Sequence, residues 1–228
     1  MAYNNFSMSS GKEKFYLKSK EPKEGFVAVP YGTEGKVTYH QYHDRIEGIL
    51  TKVEAKDVVT PTVKLSFLEV TLVNGADTNR ISAPLKNLKG NYTDEVKALV
   101  SALNGAEVGS LVSVSISNKK SEKDGKSYDN LNVWINLPNK VGEDGKPTNT
   151  GFIPWAEIPR AIREEDEDDG EVTWNWKPVN KFYKAKIADI SARFDGYVPV
   201  GEAKSSPKPA NVLVADDGGE IDEDDLPF

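Results

Sequence analysis

Residues Leu111–Leu137 read LVSVSISNKKSEKDGKSYDNLNVWINL, two alternating runs joined by a polar, basic stretch. From Val112 to Ser117 apolar residues alternate with serine, and in Tyr128–Leu137 the residues Leu131, Val133, Ile135 and Leu137 share one face. Successive side chains of a strand point to opposite sides, so this period of two predicts two half-buried β-strands. Asn130, Asn132, Trp134 and Asn136 occupy the other face. A large ring on an asparagine-rich face needs a partner, either a base stacked on it or a covering segment from one of the chain's extensions.

Upstream the period changes. Thr93 is placed to cap a helix over Asp94–Leu103 (DEVKALVSAL), which sets Val96, Leu99, Val100 and Leu103 on one side and stops at Asn104-Gly105. Before it lie Arg45–Lys56 (RIEGILTKVEAK), a strand that Gly48 allows to bend, and a turn over Val58–Thr62 containing Pro61. Val63–Val73 (VKLSFLEVTLV) alternates except for a slip at Phe67–Leu68 that a β-bulge would absorb. A turn at Asn74–Thr78 leads to a third strand, Arg80–Leu85. Three strands, a helix and two strands, with the core at about 39–138, form the topology of an OB-fold, a five-stranded Greek-key barrel with its helix between strands three and four. Closure would remove exposed strand edges. A small α+β sandwich is the alternative.

The flanks are less regular. Residues 1–38 read as a polar lead-in with short extended pieces at Lys14–Lys18 and Phe26–Pro30. Lys140–Thr150 is a Gly- and Pro-bearing connector or hairpin tip, Phe152–Ile162 is apolar with Trp155, and Glu164–Gly170 reads as a solvated loop. Lys177–Phe194 suits an amphipathic helix or a strand packed on the barrel. The expected organisation is one mainly β domain over 1–200, with N- and C-terminal extensions around the barrel, and a disordered acidic tail over 201–228.

Charge is segregated. The chain has 29 basic and 36 acidic residues. Seven of the acids lie in 216–228 and seven more in Glu164–Asp169 with Glu171, which leaves the remainder at net +7. A basic body with separate acidic segments points to a polyanionic partner. There is no cysteine, which excludes disulfides and thiolate zinc sites and fits a reducing compartment. No apolar run approaches the roughly 20 residues of a membrane span, and the N-terminus lacks a signal-peptide pattern, so the expected location is cytoplasmic. Catalysis is not expected. GTEGKVT at 32–38 lacks phosphate-loop spacing, no nucleophile elbow occurs, and the dense carboxylate runs lack the fixed separations of an acid–base pair. His40 and His43, with only Asp44 beside them, make a poor metal site. No cofactor is expected.

The pattern that remains is basic and aromatic. Proteins that hold unpaired nucleic acid without reading sequence combine a cationic groove with rings that stack bases. The candidates for DNA contact are Trp134 and Tyr128 as rings, and Lys119, Lys120, Lys123 and Lys126 in the loop 118–127 that joins the last two strands, one of the two loops an OB-fold wraps around a bound strand. Arg80 and Lys86 flank the third strand, Lys64 flanks the first turn, and Tyr39 and Tyr42 sit beside Arg45. Phe15 and Tyr16 among Lys12, Lys14 and Lys18 repeat the theme, and Trp155, Trp174 and Trp176 fit core or surface equally.

The last residues, Asp222-Glu223-Asp224-Asp225-Leu226-Pro227-Phe228, are an acidic run with an apolar end. Solubility does not call for exposed Leu226 and Phe228; a partner pocket with an apolar floor and a basic rim does. This ending closely resembles the acidic tip of bacterial single-stranded DNA-binding proteins, which finish Asp-Asp-x-Pro-Phe, while the body looks more like a phage-encoded member. The resemblance implies an OB-fold, sequence-tolerant coating of single strands in DNA replication, recombination and repair, and a tip at Asp224, Asp225, Leu226, Pro227 and Phe228 that contacts replication and repair enzymes. No DNA-contact residue is carried over by it. In the empty protein the acidic tail is expected to compete for the basic groove, and self-association is compatible with this reading. The rivals are an OB-type protein–protein adaptor without strong DNA affinity, and a magnesium-dependent nuclease or recombination enzyme.

Overall fold

The computed structural model describes residues 2–32, 35–59, 64–123, 126–165 and 172–197, without the side chains of 123 and 126–129. The expected tail and its tip Asp224–Phe228 therefore lie outside the described residues, as do Pro61 and most of the acidic cluster after Glu165. The described chain is mainly β. Strands β1 (Tyr3–Ser9), β2 (Lys14–Ser19), β3 (Val27–Tyr31) and β4 (Lys36–His43) precede β5 (Arg45–Val59), β6 (Lys64–Asn74) and β7 (Asp77–Pro84). Helix α1 (Asp94–Leu103) is followed by β8 (Leu111–Lys123), β9 (Lys126–Val141), β10 (Pro147–Asn149), β11 (Ile162–Glu165), β12 (Val172–Asn175) and helix α2 (Lys177–Phe194). The expected series of three strands, helix and two strands is thus β5 to β9.

The strands do not close into a barrel. They form one ten-stranded sheet in the order β10-β9-β8-β5-β6-β7-β1-β2-β4-β3, beside a two-stranded β11–β12 hairpin. A five-stranded barrel would close by joining β7 to β9, but other strands take both edges. β1 lies parallel to β7, with Phe6 opposite Ile81, and β10 extends β9. The reason lies in the lead-in, which holds three strands and the start of a fourth where two short pieces were expected. Phe6 and Phe15 enter the hydrophobic core, with Met8 and Leu17 packed against it. Phe15 is 0% exposed, so these strands form part of the core wall. The Ser10–Lys12 turn between β1 and β2 is tied back to β8 by the Asn118 side-chain amide, which donates to the Ser10 carbonyl.

β5 divides its partners, with Arg45–Ile49 on β8 and the stretch from Ile49 to Val59 on β6. The ladders change over at Gly48, where a Cβ would sit 2.9 Å from the Val73 carbonyl oxygen, and at a register shift between Leu50 and Lys52. The bulge is therefore in β5. β6 alternates without a slip: Leu68, Val70 and Leu72 point inward, and Phe67 belongs to the outer face. The basic stretch 118–127 also differs from expectation, since β8 and β9 stay paired out to Lys123 opposite Lys126. Lys140–Thr150 is the expected hairpin, formed by β9 and β10.

Both helices pack against the β5–β9 part of the sheet. Thr93 caps α1 by accepting a hydrogen bond from the Val96 amide at 3.3 Å, and Val96, Leu99, Val100 and Leu103 are buried as the spacing predicts. Gly105 is required by close approach, since a Cβ there would fall 1.8 Å from the Thr150 carbonyl oxygen. α2 buries Val179, Tyr183, Ile187, Ile190 and Phe194 along one stripe against β5 and α1. Its Arg193 donates to the carbonyls of Leu103, Asn104 and Ala106 at 3.0–3.2 Å, satisfying acceptors that the end of α1 leaves open.

Candidate nucleic-acid interface

Cross-strand partners lie on the same side of a sheet, so the pairing ladder traces the solvent face residue by residue. Arg45 of β5 pairs with Ser115 of β8, which pairs with Trp134 of β9. Strands about 4.8 Å apart place Trp134 and Arg45 about 10 Å from each other, with only a serine between. Trp134 is 36% exposed. Its ring N–H donates to Ser117 Oγ at 2.8 Å, and Phe152 meets it edge-on at 5.2 Å between centroids. The extension thus contacts the ring without burying it. Asn132 and Asn136 flank Trp134 on the same face, and Lys119 continues the Ser115–Ser117 side of β8 into solvent. Glu47 pairs with Arg45 at 3.3 Å, but both side chains are largely exposed, and such pairs contribute only about 0–1 kcal/mol. Ser113 Oγ also donates to Glu47 Oε1 at 3.2 Å.

A second group lies on the same face, on β2 and β4. Tyr16 pairs with Tyr42, and Lys18 with His40. The Tyr16 and His40 rings stack at 4.4 Å with 18° between planes, and Tyr42 closes the cluster at 6.1 Å from Tyr16. Lys12 Nζ donates to the Tyr42 hydroxyl at 2.7 Å and sits over its ring. Tyr42 Oη lies 3.3 Å from His40 Nδ1, and His40 Nε2 lies 3.0 Å from Thr38 Oγ1. A neutral ring with its proton on Nε2 satisfies both contacts. Partial burial holds the His40 pKa below its ordinary value, and the charges of Lys18 and Lys12 add to the effect. Further along this face, Arg80 lies 5.5 Å from the ring centre of Tyr3.

Of the expected DNA-contact residues, the fold gathers Arg45 and Trp134 in one row and puts Lys119, Tyr42 and Arg80 on the same face. Four others point elsewhere. Tyr39 alternates to the opposite side of β4, where it pairs with Ser19 and Ala28. Lys120 has the opposite parity to Lys119. Lys64 lies at the far end of the β5–β6 hairpin, bound to Asp57 at 2.8 Å. Lys86 sits over Tyr92, which packs on Tyr183 of α2, at the helical side of the molecule. The side chains of Tyr128, Lys123 and Lys126 lie outside the described residues, as does the partner-binding tip.

His40 joins the face although sequence reasoning weighs it only as a metal ligand. His40 and His43 point to opposite faces of β4, and His43 packs edge-on against Phe6. The signal is present in KVTYHQYH, where Thr38, His40 and Tyr42 recur every second residue. Trp155 and Trp174 are 84% and 55% exposed and belong to neither patch. Among the described residues no group of three or more His, Asp or Glu is placed to hold a metal ion, and no helix is long and apolar enough to cross a membrane. The face combines rings, amides and cations with the carboxylate of Glu47. No family model, curated protein or solved structure matches the chain.

Proposed function

We propose that the chain is a sequence-tolerant single-stranded DNA-binding protein that coats unpaired strands during replication, recombination and repair in the cytoplasm of a bacterium or an infected host. The observation that carries this reading is the row Arg45–Ser115–Trp134, with Lys119 four residues further along β8: a partly exposed indole among serines and asparagines, with cations on the same face. The indole supplies a stacking face that any base can use, the cations meet phosphates, and the amides add hydrogen bonds without demanding a particular base. The OB-type reading is supported by the β5–β6, β6–β7, β5–β8 and β8–β9 pairings with α1 between β7 and β8, and β1 takes the parallel position on β7 that a closing strand would fill. The acidic, Phe-ended tip is proposed to recruit replication and repair enzymes.

The test is a titration with oligo(dT) followed by tryptophan fluorescence. Quenching that salt reverses is the expected result. An unchanged spectrum, together with no retardation of the oligomer in dilute buffer, would sink the reading. The adaptor alternative is favoured by one observation, the exposure of Trp155 and Trp174 away from the row. It predicts protein capture through those residues without any effect of oligo(dT).

A further inference from the structure

Asn118 and Lys119 are neighbours in β8, and the Asn118 amide holds the turn that carries Lys12. Tyr42 and Arg45 are three positions apart in the chain, so their backbones are within about 11 Å even when fully extended. The aromatic cluster on β2 and β4 therefore meets the Arg45–Trp134 row at the Asp44 corner, while the Asn118 bond ties the Ser10–Lys12 turn to β8 from the other face. Lys14 braces that corner by an ion pair to Asp44 at 3.1 Å.

We propose that Tyr16, His40 and Tyr42, with Lys12 and Lys18, form a second subsite for unpaired nucleic acid, continuous with the Trp134 row, so that one strand crosses both. The inference rests on the strand-binding reading above and extends its path. The occupant is a single strand because the cluster combines the two things such a strand presents. Flat rings at 4.4 Å form a stack that a base can lengthen, and ammonium groups stand at its border for phosphates. An acidic peptide would match the lysines and leave the stacked rings unused.

The hydrogen bonds also give the subsite a proton linkage. His40 is faced by Tyr16 and Lys18 from β2, by Lys12 from the turn, by Tyr42 and Thr38 from its own strand, and by the apolar Val27 from β3. Burial disfavours imidazolium in the empty protein, and the nearby Lys18 and Lys12 charges add to it. A phosphodiester placed against Lys12 and Lys18 offsets the lysine part of that penalty, which favours proton uptake at His40 in the complex. Affinity then rises as pH falls below neutrality, by at most about tenfold per pH unit for one proton.

The experiment compares the full-length chain with the double variant Lys12→Glu/Lys18→Glu and with His40→Gln, using oligo(dT) of increasing length. Circular dichroism confirms that each variant is folded. The shortest oligomers that quench Trp134 are expected to bind all three proteins alike. Longer ones are expected to bind the double variant at least tenfold more weakly, with the salt slope reduced by about 0.7 for each phosphate that is no longer neutralised. His40→Gln is expected to flatten the pH dependence between about pH 7 and 5.5. Long-oligomer affinity, salt slope and pH profile all unchanged in the variants would overturn the second subsite while leaving the Trp134 row in place. If the wild-type chain binds no oligomer of any length, the strand-binding reading fails and takes this inference with it.

Discussion

The β8–β9 hairpin and the four N-terminal strands present the same kind of surface, rings among cations on the outer face of one sheet, yet they arise from different sequence patterns. In β9 the inward positions are Leu131, Val133, Ile135 and Leu137, and the outward ones are asparagines with a single tryptophan. Burial follows that parity, with Val133 and Ile135 at 1% exposure, so Trp134 stands out before any fold is known. In β2 and β4 both parities carry rings. Phe15 and His43 point inward, Tyr16, His40 and Tyr42 point outward, and Tyr39 shares the inner parity at the edge. A sheet whose inside is apolar and whose outside is polar announces its faces; one with aromatics on both does not.

The comparison can be broken first through the core. If the N-terminal strands are part of the core wall, Phe15→Ala should cost about 3–5 kcal/mol in denaturant unfolding, in a single transition with the rest of the chain. A small loss, or a separate early transition, would make these strands an independent appendage. Gly105→Ala should be next, at about 3 kcal/mol, because its methyl would overlap the Thr150 carbonyl oxygen. That lesion strikes where β10 leaves β9 and spares the N-terminal strands, so calorimetry on the two variants compares the regions directly.

Smaller effects sharpen the contrast at the surface. Trp134→Ala should weaken oligo(dT) binding by about 1–3 kcal/mol with little change in stability, measured by anisotropy at fixed salt. Lys120→Ala should leave affinity nearly unchanged where Lys119→Ala lowers it, because alternate residues of β8 face opposite ways. The smallest effect belongs to His40 in the free protein. Its folded pKa lies below the ordinary 6.5, so the unfolded chain binds more protons between those two values. Stability should therefore fall as pH drops through 6.5, with the full penalty present below the folded pKa, and His40→Gln should remove that slope in thermal unfolding.

How much of the molecule is legible in its sequence follows from the same contrast. Helix α1 is readable because Val96, Leu99, Val100 and Leu103 keep helical spacing after a capping threonine. β5, β6, β7, β8 and β9 are readable in order from their alternation. Closure is not, because it depends on which strand takes the free edge of β7, and YNNFSMS at β1 offers only Phe6 and Met8 as inward residues. The bulge is misread because Phe67 is apolar on an outer position, which mimics a slip, while the real shift lies beside Gly48. At the site, Arg45 and Trp134 each stand out in sequence, but their proximity is a property of the β5–β8 pairing, which no local pattern encodes. Tyr39 and Lys120 lie beside Tyr42 and Lys119 in the chain, yet alternation along a strand sends them to the other face.

The central claim is that an unpaired strand lies on the outer face through Arg45 and Trp134. Ultraviolet crosslinking of oligo(dT) to the intact chain, with the attached residues mapped by mass spectrometry, tests it most directly. The account predicts adducts at Trp134 and, for longer oligomers, at Tyr16 or Tyr42. Adducts confined to the helical side around Lys86 and Tyr92, or none on the outer face, would contradict it.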